Sequence, residues 1–225
     1  MNVGIIGTGN MGRTLGVLFS FVGHHVFFGA RDLAKAQAAA GLAGEGARAG
    51  TNDEAAKFGD VLVYGLRGVA PADVLSDLSA LDGKVLVDMN NGPVPEDLDF
   101  PPLAKSLAEA LQEQIPSARV VKAFNTVAQE TFEHAPNPLR EFGVSAFVAG
   151  DDEDARRIVL DLAREIGFSP IDCGPLLAAR QLEGAADLIR MLMGRGLGPM
   201  ATLNVQVLPP PAHTRLGGRQ ESHLG

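Results

Sequence analysis

Short apolar runs recur along the chain, each followed by a stretch in which apolar positions return every three or four residues. Val3–Ile6, His25–Gly29, Val61–Leu66, Lys84–Met89, Arg119–Phe124, Ala146–Gly150 and Ser169–Asp172 read as strands. Several, such as Val61-Leu62-Val63, carry no polar alternation, which is the mark of a strand covered on both faces. The intervening patterns predict helices over Asn10–Phe21, from Asp32 through Ala40, over Ala55–Phe58, Pro71–Leu81, Leu103–Gln114, Asp151–Ile166 and Leu176–Met193. Thr51-Asn52-Asp53-Glu54 has the form of a helix N-cap ahead of Ala55. Gly41–Gly50 reads as a glycine and alanine loop, and the prolines at 93, 95, 101 and 102 exclude regular structure from Asn91–Pro102.

The first strand stops at Gly7 and leads through Gly7-Thr8-Gly9-Asn10-Met11-Gly12 into a helix. With a strand before it and a helix after it, this G-x-G-x-x-G spacing points to a dinucleotide-binding turn. Gly7 would make the tight turn, Gly9 would admit the pyrophosphate to the backbone, and Gly12 would let helix and strand pack closely. The pyrophosphate would rest on free N–H groups at the helix N-terminus, where the helix dipole favours an anion. Strand–helix alternation and this turn together predict an α/β fold: a Rossmann doubly wound, mostly parallel sheet with a small C-terminal helical extension. The expected division is a dinucleotide-binding domain over 1–175, a C-terminal helix over 176–207 and a polar, proline-led tail over 208–225.

The second strand ends at Gly29-Ala30-Arg31, where an NAD-preferring fold would place a carboxylate for the ribose 2′-hydroxyl. Arg31 is instead a planar, permanent cation suited to a 2′-phosphate. Lys35 lies one helical turn later, and Thr8 could add a hydroxyl, so NADP(H) is the favoured cofactor; otherwise Arg31 and Lys35 are solvated charges and Asp32 a helix cap. Ligands of open α/β sheets sit beyond the strand carboxyl ends. Here those ends are Leu66-Arg67-Gly68, Met89-Asn90-Asn91-Gly92 and Phe124-Asn125-Thr126-Val127. None offers a strong acid–base group. Lys122, inside an apolar strand, points either out at a sheet edge or toward a ligand. His24, His25, His134, His213 and His223 read as surface, turn or tail residues, and Cys173 as a small core residue. No metal-ligand spacing occurs and no catalytic side chain is assigned. Hydride exchange between two cofactors needs positioning and exclusion of water more than proton chemistry, so this set of residues suits it.

The chain has 225 residues, 46% hydrophobic and 20% charged, enough for a substantial core. Its net charge of -8 argues against a nucleic-acid or anionic-membrane partner. The apolar run Leu15–Phe28 is broken by Gly23, His24 and His25 and is too short for a bilayer, and the N-terminus lacks the form of a signal peptide. The expectation is a cytoplasmic protein whose partner is a small-molecule redox acceptor. The final helix, with Leu188, Leu192 and Met193, could cover the core or form a homodimer.

The fingerprint Gly7–Gly12, the Gly29-Ala30-Arg31 turn and the strand Val120-Val121-Lys122-Ala123-Phe124-Asn125-Thr126 resemble the F420-dependent NADP oxidoreductase family. So do Val148-Ala149-Gly150-Asp151-Asp152 and Asp172-Cys173-Gly174-Pro175-Leu176 with the following Ala179-Arg180-Gln181-Leu182-Glu183. The resemblance implies hydride transfer between NADP(H) and a deazaflavin, coenzyme F420, with Thr8, Arg31 and Lys35 on the 2′-phosphate and Arg180 near the second cofactor. The Lys-Ala-Phe-Asn-Thr version is also similar to the NADPH-binding domain of membrane metalloreductases, which use a flavin, so FMN or FAD stands beside F420 as acceptor. Asn125 and Val127 stand where the deazaflavin pattern has histidine and isoleucine. Two other readings remain: a non-catalytic NADPH sensor or partner module, and a relative of imine or hydroxy-acid reductases. Those reductases need a large helical C-terminal domain, for which little chain follows Gly174.

Overall fold

The computed structural model describes residues 1–209; beyond residue 209 the predicted tail lies outside the described residues. The chain opens with β1 (Asn2–Ile6), α1 (Asn10–Phe21), β2 (His25–Gly29), α2 (Leu33–Ala43), β3 (Arg48–Gly50), α3 (Asn52–Phe58) and β4 (Val61–Tyr64). It continues with β5 (Val85–Asp88), α4 (Leu107–Gln114), β6 (Arg119–Lys122), α5 (Gln129–Phe132) and α6 (Asn137–Glu141). The last elements are β7 (Ser145–Gly150), α7 (Glu153–Glu165), β8 (Ser169–Asp172) and α8 (Ala179–Leu192), which runs into a π-helical turn at Met193–Leu197.

The eight strands form a sheet in the order β3-β2-β1-β4-β5-β6-β7-β8. The first six are parallel, β7 runs antiparallel to β6, and β8 is parallel to β7. The chain moves outward from β1 to β3 and then returns to β4 on the other side of β1, so the switch point lies between the carboxyl ends of β1 and β4. Strand residues alternate between two cores. Val61, Val63, Val85 and Val87 face α1, α2 and α7, while Leu62, Tyr64, Leu86 and Val120 face α3 and α4. Burying a side chain such as Phe28 or Leu62 contributes roughly 1.5–3 kcal/mol, and both are fully buried.

Three predicted elements differ. Pro71–Leu81 is not one helix but two 3-10 turns, Pro71–Asp73 and Leu78–Leu81. The Ser76 N–H is drawn off to Asp53 Oδ1 at 2.8 Å, and Asp77 restarts the chain by accepting from Ser79 N–H at 2.9 Å. Gly41–Gly50 is only partly loop, because α2 runs to Ala43 and Arg48–Gly50 pairs with β2 as an edge strand. The guanidinium of Arg48 lies 5.2 Å from the Phe27 ring centre and 5.3 Å from that of Phe58, a tertiary contact that no periodicity announces. α4 begins at Leu107 rather than 103 because Ser106 caps it, in a box with Glu109. The short helices α5 and α6 carry too few turns to show a period.

Glu109 does a second job. It receives Arg180 of α8 in a two-pronged pair, Nε at 2.8 Å and Nη2 at 2.6 Å, which ties α8 to α4. This guanidinium, with the Ser106 hydrogen bonds adding to it, lowers the Glu109 carboxyl from its ordinary 4.5 to about 2. A carboxyl depressed in the folded state contributes stability that is present above its ordinary value and is lost as pH falls toward the folded one. Glu109→Gln should therefore flatten the acid limb of the stability curve between pH 4.5 and about 2, measured by denaturant unfolding at several pH values. An unchanged acid limb would contradict this assignment.

Candidate functional site

The N-terminus of α1 is built differently from those of α2, α3, α4 and α7. α2, α3, α4 and α7 each begin with a side chain on their first N–H groups: Asp32, Thr51, Ser106 and Asp152. α1 begins at Gly9, with no capping side chain and no acidic residue in its first turn. Its orphan N–H groups and dipole therefore remain available to an external anion. Gly7 turns the chain at φ +92°, and a Cβ there would lie 2.5 Å from the Leu66 side chain. A Cβ on Gly12 would meet the Gly7 carbonyl at 2.4 Å, so this position sets the closeness of α1 to β1. Gly9 has nothing within 4 Å of where its Cβ would stand, leaving open space over the helix end.

Two hollows meet at Gly9 and Asn10. The smaller, about 430 Å³, is lined by Gly7, Thr8, Ala30, Arg31, Lys35 and Leu66, with Arg13 added from α1. Asp32 lies at its wall but is engaged in capping α2, accepting from Ala34 N–H at 3.1 Å. Three cations against one committed carboxylate make this hollow electropositive in a chain of net charge -8. Thr8 Oγ1 and Asn52 Oδ1, both in its lining, are buried without a hydrogen-bond partner. Such orphaned polar atoms are costly unless a ligand or water satisfies them.

The larger hollow, about 510 Å³, runs from Met11 along the carboxyl ends of β4, β5 and β6 to α8. Arg67, Asn90, Asn125, Thr126 and Val127 line it. Ala186, Ile189, Arg190 and Met193 complete it from α8 and the turn that follows, at the i, i+3, i+4, i+7 spacing of one helical face. Arg190 donates to the Gly92 carbonyl at 3.0 Å and to Asp187 at 3.1 Å. Burial lowers the Arg190 guanidinium from its ordinary value, opposed by Asp187 and aided by the charge of Arg67. That face was legible as apolar; its arginine was not singled out.

Beneath this floor is a buried charge cluster. Register places Asp88 of β5 directly beside Lys122 of β6, on the same face of the sheet. Lys122 Nζ reaches Asp88 Oδ2 at 2.8 Å and Glu183 Oε1 of α8 at 2.7 Å, and also donates to the Asn90 carbonyl. All three side chains are essentially inaccessible. Glu183 in turn accepts from the Leu107 N–H, at 2.9 and 3.0 Å, at the first turn of α4. Lys122 thus points neither to a sheet edge nor into the hollow, and Glu183, absent from the candidates, is its partner. Just beyond it, Phe124 adopts φ +60°, a left-handed conformation that is strained for an aromatic residue. This turn sends the Phe124 ring into the core against Phe19 and Phe168 and brings Asn125 to the hollow.

Fifteen of the sixteen candidate residues lie at these two hollows or in the turn between them; Arg180 does not. It lines a separate hollow of about 620 Å³ between α8 and Leu98–Leu103, and its guanidinium is held by Glu109.

A sequence model described as NADP oxidoreductase, coenzyme F420-dependent, matches residues 2–92. The F420-dependent NADP reductase of Methanocaldococcus jannaschii is 32% identical over 207 residues, covering 84% of this chain and 91% of that one. The chain belongs to the F420-dependent NADP oxidoreductase family. The metalloreductase STEAP3 of Rattus norvegicus is 31% identical over 181 residues, which is 80% of this chain and 35% of that protein. This family member therefore spans about a third of the metalloreductase's length. Among solved structures, a chain from Arthrobacter sp. FB24, provisionally assigned as an F420-dependent NADP reductase, superposes with a TM-score of 0.77. It is 26% identical, and the match covers 91% of this chain and 99% of the other. Among the described residues no helix is long and apolar enough to cross a membrane.

For this family member, Lys122→Met should be severely destabilising, because it leaves Asp88 and Glu183 buried without their cation. Breaking a buried pair from one side costs about 3–5 kcal/mol. Chemical denaturation should show a loss of that size; a loss within a few tenths of a kcal/mol would mean the cluster does not hold the fold.

Proposed function

We propose that the chain is an NADPH-dependent reductase whose acceptor is a flavin-type ring, the deazaflavin of coenzyme F420 or a flavin. The observation that carries this reading is the uncapped N-terminus of α1 between two hollows, one lined by three cations, the other by amides and apolar side chains with Arg67 and Arg190 at its wall. The residues present fit the cofactor. The pyrophosphate would lie on the Gly9–Gly12 backbone, and the 2′-phosphate between Arg31 and Lys35, with the orphaned Thr8 hydroxyl as a further partner. The nicotinamide end would then enter the hollow lined by Met11, Asn90, Asn125, Thr126 and Val127.

When bound, the reduced nicotinamide supplies a hydride and the acceptor ring takes it up, with one proton drawn from solvent. The chain itself has little proton chemistry to perform. Asn90 is held rigidly, its Nδ2 on the Tyr64 carbonyl at 2.9 Å and on Asp88 at 2.7 Å, and Met11, Met89 and Val127 give the hollow apolar walls that exclude water. α8, within the expected 176–207 segment, would complete the acceptor side through Ala186, Ile189 and Arg190. The F420-dependent reductase named above supports the deazaflavin; the flavin alternative rests on the resemblance of the Lys122–Thr126 segment to the metalloreductases. Arg180, held by Glu109, is left outside this proposal as an acceptor contact.

Arg31→Asp should weaken NADPH binding by roughly ten- to a hundred-fold, the scale of a lost charged hydrogen bond, and leave NADH binding nearly unchanged. Titration of both nucleotides checks this, and equal losses for the two would remove the 2′-phosphate assignment. The acceptor is tested by following NADPH absorbance with coenzyme F420, FMN, FAD and no acceptor. Turnover with F420 or with a flavin is the expected result; NADPH binding without turnover on any of them would favour the sensor reading.

A further inference from the structure

The floor of the larger hollow is made of amides oriented by their own hydrogen bonds. Asn91 Nδ2 donates to the Asn125 backbone carbonyl at 2.7 Å, a partner that admits only a donor. The Asn91 oxygen is thereby fixed on the other side, where Asn125 Nδ2 donates to it at 2.8 Å. The same Asn125 Nδ2 also donates to the Leu182 carbonyl of α8 at 2.9 Å. Both hydrogens of the Asn125 amide are therefore used, and its orientation follows from the network. Its Oδ1 is left buried with no partner, on a residue 4% exposed that lines the hollow. Asn90 is locked in the same sense by Tyr64 and Asp88, which leaves its oxygen as the end able to take a donor.

We infer that Asn125 Oδ1 is a specificity contact that accepts a hydrogen bond from the carboxamide N–H₂ of the nicotinamide. This rests on the reading of the hollow as the nicotinamide site. A ligand oxygen placed there would set lone pair against lone pair, whereas an N–H group satisfies an acceptor that is otherwise unpaid for by any hydrogen bond. The nicotinamide is the ring that reaches this floor first, because the hollow begins at Gly9 and Asn10, where the dinucleotide would cross α1.

The experiment is calorimetric titration of the full chain with NADP⁺, its thionicotinamide analogue and its 3-acetylpyridine analogue. The thionicotinamide keeps the N–H₂ group and replaces the carbonyl oxygen; the acetylpyridine keeps the carbonyl and replaces N–H₂ by a methyl. NADP⁺ and the thionicotinamide should bind alike, and the acetylpyridine analogue should bind about ten-fold or more weakly, the scale of an unsatisfied buried acceptor. Asn125→Leu should compress that difference, while the wild-type comparison needs no variant to fold. Equal binding of all three, or a loss confined to the thionicotinamide, overturns the inference and would return Asn125 Oδ1 to another ligand, such as the imide N–H of the acceptor ring. Failure of NADP⁺ itself to bind would instead overturn the reading of the hollow.

Discussion

One buried ammonium group ties the last helix to two central strands of the sheet. Lys122 lies between Asp88 of the neighbouring strand and Glu183 of the last helix, at 2.8 and 2.7 Å, with no access to water. A lone charge in that position would be prohibitively expensive, so the three groups are retained together or not at all. The consequence is structural reach: β5, β6, the start of α4 and the middle of α8 are all bound to one point. α8 also grips α4 through Arg180 and Glu109, so it is fixed on two sides and can present a constant face to the hollow.

That face meets a floor of opposite character from the neighbouring hollow. Around Arg13, Arg31 and Lys35 the surface is cationic and ends on a helix N-terminus that no side chain caps. Around Asn90, Asn125 and Thr126 it is neutral and polar, walled by Met11, Met89 and Val127. A ligand with charged phosphates at one end and a flat, weakly polar ring at the other matches this division. The left-handed Phe124 belongs to the same design. Its ring is anchored in an aromatic cluster, and that packing sustains the turn which delivers Asn125 to the hollow.

Much of this was legible from local pattern. Val61–Tyr64 and the Val85–Val87 stretch of Val85–Asp88 are continuous apolar runs because both faces are covered, and Ser169–Asp172 ends where its turn residues say it should. The glycine turn declares itself because steric demands at Gly7 and Gly12 and an open position at Gly9 fall at fixed spacing. What escaped were features made by distant partners. The break at Ser76 depends on Asp53, the edge strand Arg48–Gly50 on Phe27 and Phe58, and the place of Arg180 on Glu109.

The sequence by itself determined the alternating α/β order, the largely parallel sheet, the glycine turn after the first strand and the cation at the end of the second. These follow from nearest-neighbour rules: periodicity, capping and the absence of a Cβ at Gly7, Gly9 and Gly12. Only the tertiary structure decided that Lys122 is a structural counter-ion, that Arg190 rather than Arg180 faces the hollow, and that Asn125 carries an unsatisfied oxygen. Charge and hydrogen-bond complementarity join residues 34 to 98 positions apart in these cases, and no local pattern encodes which partner a buried polar group will meet.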